Sequence, residues 1–229
     1  MSTLATIQSN YIPWKGYFDL IDKADVFVFL DNVQYTKNSW RNRNKIKTPL
    51  GAKWLTIPVS LTHHDMISRD VRVADPNWAE AHWNKIELNY QSAPFFNEYK
   101  EVIKNAYDEM KDLEFLCDIN HHFIRFFCNI LNIETPLMPV SHYTLEGDRN
   151  ERLVSLCQQN ECDTYLSGPA AQVYIDEALF NTHGIKVEYM NYGPYPEYEQ
   201  LYPPFTHEVS ILDLLLHTGY NAKKHMESL

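Results

Sequence analysis

Glycine is scarce in this chain, 7 residues among 229, and no Ser- or Gly-rich stretch or internal repeat interrupts it. Flexible linkers and repeat architectures are thereby set aside. No apolar run approaches the roughly 20 residues that a membrane-spanning helix needs. The first residues also lack a basic segment leading into an apolar one. A cytoplasmic protein without a membrane partner is expected. The four cysteines, Cys117, Cys128, Cys157 and Cys162, make no CxxC pair, no zinc-like spacing and no setting suited to a catalytic thiol. They read as reduced thiols, two of them on an amphipathic helix where a thiol packs as a small hydrophobe.

Several common catalytic signatures are missing as well. HExxH, the GxSxG elbow and the phosphate loop GxxxxGK[ST] do not occur, which removes the zincin, serine-hydrolase and P-loop readings. His63-His64 and His121-His122 are adjacent pairs, whose side chains point apart on either a strand or a helix. No metal site and no resident cofactor are expected.

Acid is absent from one long window. No Asp or Glu falls between Asn32 and His64, although the chain holds 30 of them, while Lys37, Arg41, Arg43, Lys45, Lys47 and Lys53 all do. The whole chain carries a net charge of −10 with a pI near 5.4, which argues against a general nucleic-acid binder. A local cationic field in an acidic protein can gather an anionic ligand at one place. A solvated basic loop is the other reading.

What is present alternates between strand and helix. “LATIQ” reads as a strand, “WKGYFDLIDKA” as a helix and “DVFVFLD” as a buried strand. This is the pattern of a right-handed parallel crossover. “KWLTIPVSL” reads as a further strand. From Asp75-Pro76, a helix-opening pair, apolar residues recur three and four apart as far as about residue 132. “PLMPVS” is read as a strand. “DRNERLVSLCQQN” opens on an Asp148/Glu151 capping box, “DTYLSG” is a strand, and “PAAQVYIDEALFNTHG” a helix from Pro169 to Gly184. “IKVEYMNY” is a strand and “SILDLLLHTG” a last helix, with Asp213 three residues after Ser210 as a capping residue. The expected fold is α/β: a Rossmann-like parallel sheet in a single domain over 1–229, with a mostly helical insertion at about 76–132.

In such sheets ligands bind beyond the carboxyl ends of the strands. After the first strand, Gln8, Asn10 and Tyr11 offer neutral donors and acceptors, and Pro13 and Gly16 fix the turn. Trp14 is either a flat face for a base or sugar, or a core aromatic. After the second strand, Asp31 is a candidate base or an Asx-turn residue, and Gln34 and Tyr35 lie in the same ligand-binding segment. Arg41 and Arg43 alternate with Asn42 and Asn44, so an extended run sets the arginines on one face, where guanidinium groups grip phosphate oxygens in pairs. Lys47 joins them. Beyond “YLSG”, Ser167 and Gly168 either donate to an oxyanion or cap a helix. His63 and His64 are general-base candidates or plain loop residues.

The stretches “QSNYIPWKGYFDLI”, “ADVFVFLDNVQY”, “WRNRNKIK” and “WLTIPV”, with “YLSG” and “SILDLLLHTG”, closely resemble the WbqC-like protein family of bacteria over essentially the whole chain. That family occurs with surface-polysaccharide and O-antigen (lipopolysaccharide) biosynthesis genes, and some members are labelled glycine or acyl transferases acting on amino sugars. The resemblance implies a transferase acting on a nucleotide-activated amino sugar. Residues 10–35 also look like the opening of the nucleotidylyltransferase and pantothenate-synthetase superfamily. Trp14 and Tyr17 stand where its His-x-Gly-His histidines would be, with Gly16 retained. That departure puts ATP-dependent adenylation in doubt and leaves nucleotide binding.

Three functions therefore remain in view. In the first, acyl or aminoacyl transfer, Arg41, Arg43 and Lys47 bind the diphosphate, while Gln8, Asn10 and Trp14 position base or sugar. Asp31 or His64 then removes the proton and Ser167-Gly168 hold the oxyanion. The second is adenylation or ligation; the third is a non-catalytic nucleotide-sugar binding module. The acyl donor is open, aminoacyl-tRNA being one candidate. With 15 tyrosines and 11 phenylalanines, a second copy of the chain is a candidate partner through an aromatic interface.

Overall fold

A computed structural model describes residues 1–226; the last three residues of the expected domain lie outside the described residues. Strand β1 (Thr3–Ile7) passes through a turn into helix α1 (Lys15–Asp22) and returns to β2 (Val26–Phe29). A hairpin of β3 (Arg43–Thr48) and β4 (Gly51–Thr56) follows, then a small antiparallel pair, β5 (Val59–Ser60) and β6 (Arg72–Val73). Three helices come next, α2 (Trp78–Tyr90), α3 (Phe96–Met110) and α4 (Leu116–Ile130). The chain re-enters the sheet at β7 (Leu137–Pro139) and continues through α5 (Arg149–Gln159), β8 (Thr164–Ser167), α6 (Glu177–Thr182) and β9 (Lys186–Tyr189) to α7 (Ile211–Thr218).

The central sheet has the order β7-β2-β1-β8-β9, and every neighbouring pair is parallel. The fold is α/β and Rossmann-like. Alternation along the strands divides its side chains between two cores. Ala5, Phe27, Phe29 and Leu166 face the core shared with α1, α2, α3, α4 and α7. Leu4, Val28 and Tyr165 face a smaller core with α5 and α6. The helices of residues 78–130 are not an appendage, since Trp78, Ile86, Ile103, Phe123 and Phe127 are buried in the first of these cores.

Local departures from the sequence reading have physical causes. The strand expected over 53–61 breaks at Pro58, which cannot donate to a ladder, and forms β4 and β5 outside the parallel sheet. The helix expected from Pro169 to Gly184 divides into a 3-10 turn (Pro169–Val173) and α6. Asn150 fixes the break: its amide donates to the Tyr174 carbonyl (3.2 Å) and accepts from the Asp176 N–H (3.1 Å). Asp176 then caps α6 at the Leu179 N–H. Asp213 is not the capping residue of α7. Ser210 takes that role at the Leu212 N–H, and Asp213, fully buried, accepts from Tyr90, Tyr198 and Gln200. Burial outweighs those donors and pushes the Asp213 carboxyl above its ordinary value.

All four cysteines are free and buried, and burial pushes the Cys128 and Cys157 thiols up to about 12. Among the described residues, no helix is long and apolar enough to cross a membrane.

Candidate functional site

Strand order locates the site before any side chain is considered. From β1 the chain winds to β2 and β7 on one side, and β8 and β9 lie on the other. The direction of winding reverses between β1 and β8, and a crevice opens beyond the carboxyl ends of strands at such a reversal. A cleft of about 750 Å³ lies there, lined by Gln8 after β1, Gln34 after β2, Arg41, Arg149 and Arg152 at the start of α5, and Ser167 and Gly168 at the end of β8. That size suits a small-molecule ligand.

Its charge is one-sided. Three guanidinium groups line the cleft, and among the described residues Asp148 is the carboxylate that does. Asp148 is already engaged. It caps α5 by accepting from the N–H groups of Asn150 (2.7 Å) and Glu151 (3.0 Å), while Glu151 accepts from the Asp148 N–H (2.6 Å). The positive end of α5 points the same way as its arginines.

Each arginine has a positional support. Arg41 donates from a terminal amino group to the Gln8 side-chain oxygen. Gln8 is itself oriented by its amide nitrogen, which donates to the Gln34 carbonyl (3.4 Å) and the Ser68 hydroxyl (3.3 Å). The Nε of Arg41 is buried without a partner among the described residues. Burial lowers the Arg41 pKa, and the neighbouring Tyr17, Asp31 and Tyr35 oppose that shift. Arg152 donates from Nε to the Gly147 carbonyl (2.9 Å), and the Arg149 guanidinium lies 4.6 Å over the Tyr174 ring.

The basic segment does not converge on this cleft as a unit. Lys37 is exposed. Arg43 stacks 4.2 Å over Trp54, Lys45 pairs with Glu208 at 2.8 Å, and Lys47 is buried with its ammonium donating to the Pro204 carbonyl. Arg41 alone of the five reaches the cleft lining, and α5 supplies the other cations. Asn42 and Asn44 are buried, Asn42 donating to the Ile57 carbonyl and Asn44 to the Tyr11 and Ile12 carbonyls.

Other residues singled out from sequence stand elsewhere. Tyr11 is buried, its hydroxyl 2.8 Å from His82 Nδ1 and 2.7 Å from the Tyr107 hydroxyl. Tyr35 is buried, with a hydroxyl that has no partner among the described residues, and its pKa is pushed up to about 12 by burial. Asn10 and Trp14 line a separate depression. Gly16 lies inside α1 rather than in the turn, and a Cβ there would meet the Trp14 indole at 2.4 Å. His64 is exposed beside Asp65. Asp31 is buried, accepting from the Ser9 N–H (2.9 Å) and from His121 Nε2 (2.7 Å); neither it nor His64 lines the cleft. Pro169, which has no N–H, leaves the expected oxyanion turn with the Gly168 N–H as its first donor.

Arg149 and Arg152 were not visible as site residues in the sequence, and neither was His121 as the partner of Asp31. Topology supplies the missing signal for the first two: a helix returning antiparallel to its strands must start at the carboxyl edge of the sheet. His121 stacks on Phe29 at 3.9 Å, a relation between α4 and β2 that residue spacing does not encode.

Fold and cleft together define an open α/β protein with an arginine-lined crevice at its switch point. The chain belongs to the WbqC-like protein family, whose model matches residues 8–225. It is 41% identical over 228 residues to the uncharacterized protein Rv1507c of Mycobacterium tuberculosis, an alignment covering 99% of this chain and 98% of that one. No solved structure matches it.

Proposed function

We propose that this protein binds a nucleotide-activated amino sugar through its diphosphate. The reaction it serves is acyl or aminoacyl transfer, with glycyl a candidate group, to the sugar amine in surface-polysaccharide synthesis. The observation that carries the binding half is the cleft itself: Arg41, Arg149 and Arg152 against a single carboxylate already used as a helix cap. Paired guanidinium donors match phosphate oxygens, and the α5 N-terminus adds favourable potential. Ser167 and the Gly168 N–H line the same cleft and are suited to an oxyanion.

One observation favours a second reading, a non-catalytic module that presents the nucleotide sugar to an enzyme. Among the described residues, no His, Lys, Cys or Glu lines the cleft, so its own walls provide no free general base. Adenylation has less support. Trp14 packs against Tyr192 and Tyr195 and Tyr17 donates to the Gln8 carbonyl, so neither offers the imidazole that the reaction would use.

The test is a thermal-shift screen of nucleotide sugars, followed by mass spectrometry of each binder incubated with acyl donors, aminoacyl-tRNA included. A ligand specific to the folded state raises its melting temperature, and a product heavier by the acyl group marks transfer. Binding without product supports the module. No nucleotide sugar binding at all defeats both readings.

A further inference from the structure

A second built feature lies apart from the cleft. A depression of about 400 Å³ is lined by Asn10, Pro13, Trp14, Trp40, Asn44 and Glu208. Trp40 and the neighbouring Trp54 are exposed at 42% and 39%, their ring centroids 5.1 Å apart. Arg43 stacks over Trp54 and the Lys45 ammonium lies 5.9 Å from the Trp40 ring centroid, yet both indoles keep surface open to a ligand.

The platform is held in place. The Trp40 carbonyl accepts from the Tyr11 N–H (2.9 Å). Trp14 is wedged against Tyr192 and Tyr195, at 5.4 and 5.9 Å between centroids. The turn between them holds Ile12 at φ +35°, a conformation that β-branched residues avoid. The two Asn44 hydrogen bonds to the carbonyls of Tyr11 and Ile12 brace it.

Unused hydrogen-bonding capacity indicates the ligand. The Asn10 side-chain oxygen is buried and has no partner among the described residues, a state that costs free energy unless something donates to it. Glu208, which lines the same depression, presents a carboxylate held by Lys45 at 2.8 Å. A ligand that satisfies both must carry at least two donors and an apolar face to lie on indole.

The geometry points to a pyranose ring, stacked on Trp40 with hydroxyl or amino groups donating to Asn10 and Glu208. A nucleobase has a comparable face but fewer donors around its edge than a pyranose. This subsite is independent of what occupies the arginine cleft.

The experiment is 19F NMR of protein labelled with 5-fluorotryptophan, which gives five reporters; Trp40→Phe assigns the key resonance. Methyl glycosides of neutral, 2-amino and N-acetylated hexoses are titrated, with uridine and adenosine monophosphates as comparison. A saturable shift of the Trp40 signal by a glycoside is expected, with the buried Trp78 signal unmoved. Asn10→Ala, which removes an oxygen bonded to nothing among the described residues, should weaken that binding about tenfold while leaving the melting temperature unchanged. Arg149→Ala should leave it as it was. A Trp40 signal indifferent to every glycoside overturns the proposal. So does a response to the nucleotides alone, or a glycoside response that Asn10→Ala and Glu208→Gln leave untouched.

Discussion

The Arg41 guanidinium is held by the Gln8 side-chain oxygen, and Gln8 is held in turn by the Gln34 carbonyl and the Ser68 hydroxyl. A residue from the turn after β1 thus aims a cation from the segment before β3 into the cleft. Gln8→Ala frees Arg41 without removing its charge. Affinity for a cleft ligand should fall by about 1 kcal/mol, the scale of one hydrogen bond. Arg41→Ala should cost about 1.5–3 kcal/mol, as for a hydrogen bond to a charged group. Calorimetry of both variants against one ligand gives the order; an equal loss in both would assign the binding to Gln8 itself.

Asp31 separates a structural role from a catalytic one. It ties down the Ser9 N–H and His121, so Asp31→Ala should lower stability by about 1–3 kcal/mol through the buried groups left unpaired. A urea melt measures this. An Asp31→Asn protein as stable as wild type yet devoid of turnover would instead make Asp31 the base.

His82 sets a pH dependence. The ring is buried between the Tyr11 hydroxyl and the Thr56 carbonyl, and burial lowers its pKa from 6.5 to about 4. The native state therefore keeps the ring neutral while the unfolded chain charges it. Stability is lost as pH falls from about 6.5 through about 4, by about 3 kcal/mol at most from this group. Urea midpoints of wild type and His82→Gln between pH 7 and 4 should converge as pH falls. Parallel curves would show that His82 does not carry the effect.

Gly16→Ala tests the packing beneath the aromatic depression. The new methyl would sit 2.4 Å from the Trp14 indole, which is confined by Tyr192 and Tyr195. A loss of about 1–3 kcal/mol is expected from overpacking, together with a changed Trp14 fluorescence. Unchanged stability and emission would mean that the indole has room to move.

The parallel core was legible because its strands are short apolar runs next to amphipathic helices, as “DVFVFLD” is after α1. Alternation in β3 was also legible: Asn44 and Ile46 turn inward while Arg43 and Lys45 lie over tryptophans. The fate of Lys47 was not. It shares the outward parity of Arg43 and Lys45, yet it is covered by Pro204, 157 residues further along. No local pattern reports such a return. The cleft was half legible for the same reason. Gln8, Gln34, Arg41, Ser167 and Gly168 stand at strand ends that the sequence marks. Arg149 and Arg152 join them only through the strand order, and the helix cap that marks their position says nothing of what the helix faces.

The most direct measurement is a calorimetric titration of nucleoside-diphosphate sugars into wild type and the Arg149→Ala/Arg152→Ala double variant, at low and at raised salt. Arg149 and Arg152 lie at the exposed start of α5, so the melting temperature of the variant should match wild type. Binding to wild type that weakens with salt, and about a hundredfold or greater loss in the variant, is the predicted result. Equal affinities in the two proteins would contradict an anion-binding cleft at the start of α5.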